Sequence, residues 1–314
     1  MTTLVDSSAR SLGSLTNVGP LSFGLWRYTN TDIVAAQQTL EAALDAGMNL
    51  VDNADVYGFD WGGTGFGQVE EILGSVLAES PGLRDRIVLA TKGGIMPPLP
   101  YDSSQSYLRS ACEASLSRMG VDVIDLYQIH RPDLYAHPAD VAATLTELRV
   151  AGKIREVGVS NHTLAQVAAL QEHLDFPIAT NQPEFSAHRL HPMRDGTFDQ
   201  CMQLGITPIA WSPLAGGSLA TGDGVKPGLL AELDRLAQRE GSTAAISRWH
   251  SCLLTRHGRS PSLDPRTSVA SPVLSVRSTS TLTGPTSTPS SKRLREFNCH
   301  EFHRRSDHSR DLLV

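Results

Sequence analysis

The chain has few cysteines, few aromatic residues and no long apolar run. Its four cysteines, Cys112, Cys201, Cys252 and Cys299, are widely spaced and form no C-x-x-C pair, which excludes zinc ribbons, redox dithiols and a disulfide scaffold. They read as core or surface thiols. No stretch of about 18 uncharged apolar residues is present, and "MTTLVDSSAR" lacks the basic-then-apolar pattern of a secretory leader. The expectation is therefore a soluble, cytoplasmic protein with no membrane partner. The "HRLH" at 188–191 has no accompanying carboxylate and histidine cluster, so it is read as a loop and no metal is expected.

With 40% of 314 residues hydrophobic, the chain can bury a large core. Its charge is uneven. Residues 1–246 hold 16 Lys/Arg against 28 Asp/Glu, a net of -12, whereas residues 247–314 hold 11 against 5, a net of +6. A basic tail is compatible with nucleic-acid binding, but also with a segment of different origin. The expectation is a segment of different origin, and no nucleic-acid partner is expected.

From residue 20 onward one unit repeats: a short β-rich run, a polar turn, then a helical pattern. The runs "PLSFGLW", "NLVDNA", "RIVLATKGG", "IDLYQIH", "REVGVSN", "PIATNQP" and "TPIAWSP" predict seven strands. Segments such as "DIVAAQQTLEAALDAG", "QSYLRSACEASLSRMG", "ADVAATLTELRVAG", "TLAQVAALQEHL" and "GLLAELDRLAQREG" place apolar residues every three or four positions and predict helices. Several of these patterns close on a glycine, namely Gly47, Gly120, Gly152, Gly205 and Gly241. Such alternation implies a parallel sheet, either open and doubly wound or closed as a barrel.

A dinucleotide-binding open sheet would carry G-x-G-x-x-G after its first strand, and "SFGLWRYTN" stands there instead. The later "GGTGFGQ" puts Gln68 where the third glycine belongs. The polar residues fall at successive strand ends: Asp52 and Tyr57, Lys92, His130, Ser160 and Asn161, Gln182, then Trp211 with Ser212. In a (β/α)8 TIM barrel those ends share one face, where barrel active sites lie.

Individually these residues have ordinary readings: a cap for Asp52, half-buried packing for Tyr57, a solvated loop for Lys92, a core histidine for His130. Together they suit protonation of a carbonyl oxygen. An ammonium at Lys92 would favour the Tyr57 anion, Asp52 would keep that ammonium charged, and His130 would hydrogen-bond the substrate oxygen or relay a proton. The hydride must come from a cofactor, because no side chain donates one. Ser160, Asn161 and Gln182 suit a carboxamide, and Trp211 offers a face for a nicotinamide ring. Trp61 and Phe66 in "YGFDWGGTGFG" predict an aromatic wall at the mouth.

The segments "GMNLVDNADVYG", "VLATKGG", "DVIDLYQIHRPD", "GKIREVGVSNHT", "TNQPEFS" and "IAWSPLAGG" resemble, in order, motifs of the aldo-keto reductase family over about residues 20–246. The resemblance implies an eight-stranded (β/α) barrel that reduces aldehydes or ketones with NADP(H). It implies a catalytic tetrad of Asp52, Tyr57, Lys92 and His130, with Tyr57 as general acid. Ser160, Asn161, Gln182, Trp211, Ser212 and Leu214 would hold the cofactor, and Trp26 and Trp61 would line the substrate mouth. The partner is a small carbonyl compound; sugar lactols, pyridoxal-like aldehydes and aliphatic aldehydes all stay open. Asn53 stands where the family often has a small hydroxyl residue. The alternative is a catalytically impaired or regulatory nicotinamide-binding barrel.

Residues 247–314 depart from the family pattern. They hold 14 Ser and 7 Thr among 68 residues, and the eighth β/α unit with its phosphate-binding loop is not readable. Two domains are expected: a barrel over 1–246 and an aberrant tail over 247–314, disordered or frameshifted. Back-translating "SRWHSCLLTRHGRSPSLD" with chosen permitted codons and reading two bases later can give "AVAFLLAHPARPVPILG". That sequence is an apolar helix, a turn and a short strand ending in Gly.

Overall fold

The computed structural model describes residues 8–60, 62–99 and 101–239. The expectations for Trp61, Gly241 and residues 247–314 therefore lie outside the described residues.

The chain enters through a hairpin of β1 (Arg10–Leu12) and β2 (Leu15–Val18). Seven parallel strands follow, paired in sequence order. They are β3 (Ser22–Gly24), β4 (Leu50–Asp52), β5 (Val88–Gly93), β6 (Ile124–Ile129), β7 (Ile154–Ser160), β8 (Thr180–Gln182) and β9 (Thr207–Pro208). Parallel neighbours need crossover connections. Helices α1 (Ile33–Asp45), α2 (Gln68–Glu79), α3 (Gln105–Met119), α4 (Pro138–Val150), α5 (Leu164–Gln171) and α6 (Thr197–Leu204) supply them, and the sheet curls into a half-barrel of the (β/α)8 class. Two further helices, α7 (Ser218–Thr221) and α8 (Pro227–Arg239), follow β9.

The local signals explain these elements. Asp32 and Ser104 accept the backbone N–H of Ala35 and Tyr107, and Thr163 with Gln166 forms a capping box. Gly120 and Gly205 end α3 and α6 with φ of 63° and 70°, a conformation that favours glycine. Every residue of β6 is buried, because helices cover one face and the lumen the other.

Side chains two apart on a strand share a face. Leu50, Ala90 and Leu126 therefore lie one layer below Asp52, Lys92 and Gln128. The hairpin residues Leu12, Leu15 and Val18 pack on that deeper layer together with Ala179, closing the end of the lumen opposite the polar strand ends. Cys112 and Cys201 are buried free thiols, in line with a structural role.

Among the described residues, β3 and β9 are the two ends of the sheet. A cavity of about 110 Å³ is lined from one side by Leu21 and Ser22 and from the other by Thr207, Pro208, Ile209 and Ala210. Pro208 has no N–H to offer a neighbour, which suits a strand whose second edge has no partner among the described residues. No helix among the described residues is long and apolar enough to cross a membrane.

Candidate active site

The turn from β4 and the end of β5 meet at Lys92. Its side chain is fully buried, and each of its three donor directions is used. Nζ lies 2.7 Å from Asp52 Oδ2, 2.8 Å from the Asn53 carbonyl and 3.2 Å from the Tyr57 hydroxyl. A buried ammonium is tolerated only when paired and hydrogen-bonded. Burial alone would lower the Lys92 pKa, but Asp52 and then Tyr57 reverse that, and the group is held charged. Asp52 is steadied from the other side by Gln128 Nε2 at 3.3 Å, and Thr180 Oγ1 donates to Gln128 Oε1 at 3.2 Å.

Tyr57 is half-buried, and its ring meets the His130 ring edge-on with centroids 5.8 Å apart. By residue type alone, Lys92 is expected to pull the phenol pKa down. Desolvation outweighs that pull, Asp52 adds to the rise, and the phenol is pushed above its ordinary value. Tyr57 is thus a protonated donor whose anion Lys92 stands ready to stabilise. Burial, then the Lys92 and Arg131 charges, hold His130 well below its usual pKa. Its imidazole is therefore neutral at pH 7, with Nδ1 buried and unpartnered among the described residues.

Around the ends of β7, β8 and β9, Ser160 donates to the Gln182 carbonyl at 2.9 Å, and Asn161 donates to Ser160 Oγ at 2.7 Å. Trp211 Nε1 donates to Asn161 Oδ1 at 2.9 Å. Ser160, Asn161 and Trp211 thus hold one another in place. The buried Gln182 side chain has no hydrogen bond among the described residues, so a free donor and acceptor stand together, as a carboxamide partner requires. This donor set fits a nicotinamide group. Ser212 turns its hydroxyl back to accept the Gly216 N–H at 2.8 Å, and Leu214 packs beside Leu219, Val225 and Leu233. Trp26 is partly exposed with the Arg27 guanidinium over its ring at 4.8 Å.

The structure brings together the tetrad and, beside it, the group around Asn161. Sequence reasoning missed three residues near them. Gln128 precedes His130 by two, so strand periodicity could have revealed it. Arg131, immediately after His130, lies over Trp211 at 5.3 Å. Asp55 lies in the turn between Asp52 and Tyr57.

Asp55 is wholly buried, its N–H donates to the Lys92 carbonyl, and its Oδ2 accepts from Tyr107 at 3.0 Å. Burial first, then Glu70, raises its pKa from 3.8 to about 8. The folded chain then keeps a proton that the unfolded chain releases from about pH 4 upward. Stability falls as pH rises from about 4 to 8, by up to about 1.4 kcal/mol per unit from this group. Asp55→Asn is expected to remove that slope in urea melts between pH 5 and 8. Equal slopes in both proteins would mean that Asp55 is ionised in the folded state.

Among the described residues no His, Cys, Asp and Glu cluster could hold a metal ion. Residues 20–252 match the Aldo/keto reductase family. A 6-dehydroglucose reductase of Novosphingobium aromaticivorans is 49% identical over 235 residues, 74% of this chain and 77% of that protein. A second protein of that description, from Agrobacterium fabrum, is 34% identical over 75% of this chain and 80% of its own length. The solved glycerol dehydrogenase from Gluconobacter oxydans superimposes with a TM-score of 0.67 at 28% identity, covering 79% of this chain and 83% of that one. With the tetrad assembled and the match spanning the barrel, the chain belongs to the aldo/keto reductase family.

Proposed function

We propose that the protein is an NADP(H)-dependent reductase of small aldehydes or ketones, with Tyr57 as the general acid. The observation that carries this reading is the buried Lys92 ammonium held between Asp52 at 2.7 Å and the Tyr57 hydroxyl at 3.2 Å. The bound nicotinamide would supply the hydride to the carbonyl carbon. The residues of the chain do the rest. Tyr57 Oη–H points a proton at the carbonyl oxygen, and Lys92 stabilises the phenolate left behind. Neutral His130 orients that oxygen by a hydrogen bond. Gln182 and Asn161 would hold the carboxamide, and Trp211 would support the ring. Two relatives described as 6-dehydroglucose reductases favour a sugar-derived aldehyde over an unsubstituted one.

The test is a panel of carbonyl compounds scored by NADPH oxidation, including a sugar 6-aldehyde, a pyridoxal-type aldehyde and simple alkanals. The expected result is turnover with the polyhydroxylated members leading. NADPH binding without turnover of any carbonyl compound would favour a regulatory barrel and overturn the reductase reading.

A further inference from the structure

Arg131 follows His130 at the end of β6, and its side chain is half-buried. Its guanidinium carbon lies 5.3 Å from the centre of the Trp211 ring, and its charge reaches both Tyr57 and His130. The nearby carboxylates are engaged elsewhere. Asp52 is paired with Lys92, and Glu184 with Arg189 at 2.9 Å. Asp133 accepts the backbone N–H groups of Ser103 and Tyr135. Among the described residues, the Arg131 N–H groups have neither an ion pair nor a hydrogen bond.

A guanidinium is satisfied in two different directions. Its flat face stacks on an aromatic ring, and its edge carries five N–H donors in a rigid fork. Trp211 takes the face. Among the described residues the edge has no acceptor, and it lies beside Tyr57, the proposed acid. Two adjacent oxygen atoms match that fork, as a carboxylate or a vicinal diol presents them.

We infer that Arg131 is a specificity residue whose guanidinium edge grips two adjacent oxygens on the carbon chain of the carbonyl substrate, the vicinal hydroxyls of a polyhydroxylated aldehyde. This rests on the reductase reading for its place beside the reacting carbon. Two sources could supply the oxygen pair, and the neutral diol is the one chosen, since the two relatives described above reduce a neutral sugar aldehyde.

The test compares wild type with Arg131→Met, which keeps an apolar stem, and Arg131→Lys, which keeps charge without the fork. D-Glyceraldehyde is paired with propanal, and succinic semialdehyde with butanal. Arg131→Met is expected to lower kcat/KM for D-glyceraldehyde at least about tenfold more than for propanal, mostly through KM, and Arg131→Lys to restore only part of the loss. An effect confined to succinic semialdehyde would overturn the diol assignment in favour of a carboxylate. Equal losses for both members of each pair, or weaker NADPH binding, would assign Arg131 to supporting Trp211 and the cofactor. Saturation-transfer NMR with glucose, the reduced form of the relatives' substrate, reads the contact without turnover. Glucose binding by wild type that Arg131→Met abolishes sustains the inference even if no carbonyl is reduced. No glucose binding by wild type, or binding unchanged by Arg131→Met, overturns it.

Discussion

Tyr57→Phe is expected to lower kcat by about 100-fold or more, while NADPH affinity changes by less than about twofold. The substitution removes one oxygen and little else. The ring keeps its edge-on contact with His130 at 5.8 Å and its place below the Lys92 ammonium at 5.1 Å. Lys92 keeps Asp52 and the Asn53 carbonyl, so the buried charge stays paired and the stability cost is about 0.5–1.5 kcal/mol, one hydrogen bond. Asn161 and Gln182, proposed above to hold the carboxamide, make no hydrogen bond to Tyr57. Single-turnover reduction measures the chemical step, and fluorescence titration measures the affinity. A variant that reduces its substrate at the wild-type rate would remove Tyr57 from the acid role. The pH profile gives an independent check. Burial holds the phenol above its ordinary value of 10.0, so the acid form prevails through neutral pH and reduction should fall only in the alkaline range. Oxidation of the alcohol needs the phenolate and should rise there.

The order of strands and the convergence of the tetrad were legible because both rest on local pattern. Period-two apolar runs and 3.6-period helices mark the β/α units, and the strand-end position of Lys92 or His130 follows from where each run stops. Strand lengths were overestimated at β8 and β9, since "PIATNQP" and "TPIAWSP" contain prolines that cannot donate to a ladder. Helix α2 was missed because its N-terminus follows a glycine-rich loop, with Gly67 at φ 86° and no side-chain cap. The hairpin β1 and β2 is too short to announce itself. Electrostatics were legible only in part. The Lys92, Asp52 and Tyr57 set could be named from residue type, but the rise of the Tyr57 pKa depends on desolvation, which no linear sequence displays. Arg131 was hidden for a similar reason. A lone arginine after a strand is ordinarily solvated, and it is the packing on Trp211 and the pairing of Glu184 with Arg189 that leave its edge without a partner among the described residues.

Replacing the residues from Ser247 onward by the reading frame two bases later is expected to raise NADPH affinity by about 100-fold or more, the worth of two charge-assisted phosphate contacts. Reductase turnover should rise with it. Composition changes at this point: the acidic, periodic pattern of residues 1–246 gives way to a basic segment with 14 Ser and 7 Thr. The family match ends at residue 252 of 314. The offset reading "AVAFLLAHPARPVPILG" supplies an apolar helix and a strand where the barrel pattern calls for them. Codon freedom is itself limited here, because each new codon takes its second base from the first base of the next original codon, and that second base largely decides apolarity. The sheet provides the physical counterpart. β3 and β9 end it among the described residues, and a cavity of about 110 Å³ lies between Ser22 on one side and Pro208 on the other. A strand seated there would pair both edges and close the lumen above the hairpin, each ladder bond contributing about 1 kcal/mol net. Sequencing the gene tests the origin: an offset frame that does not encode a barrel end would refute the shift. Calorimetric titration of NADPH into both proteins tests the consequence. Equally tight NADPH binding by the chain as it stands would show that it already holds the phosphate and would overturn the expected gain.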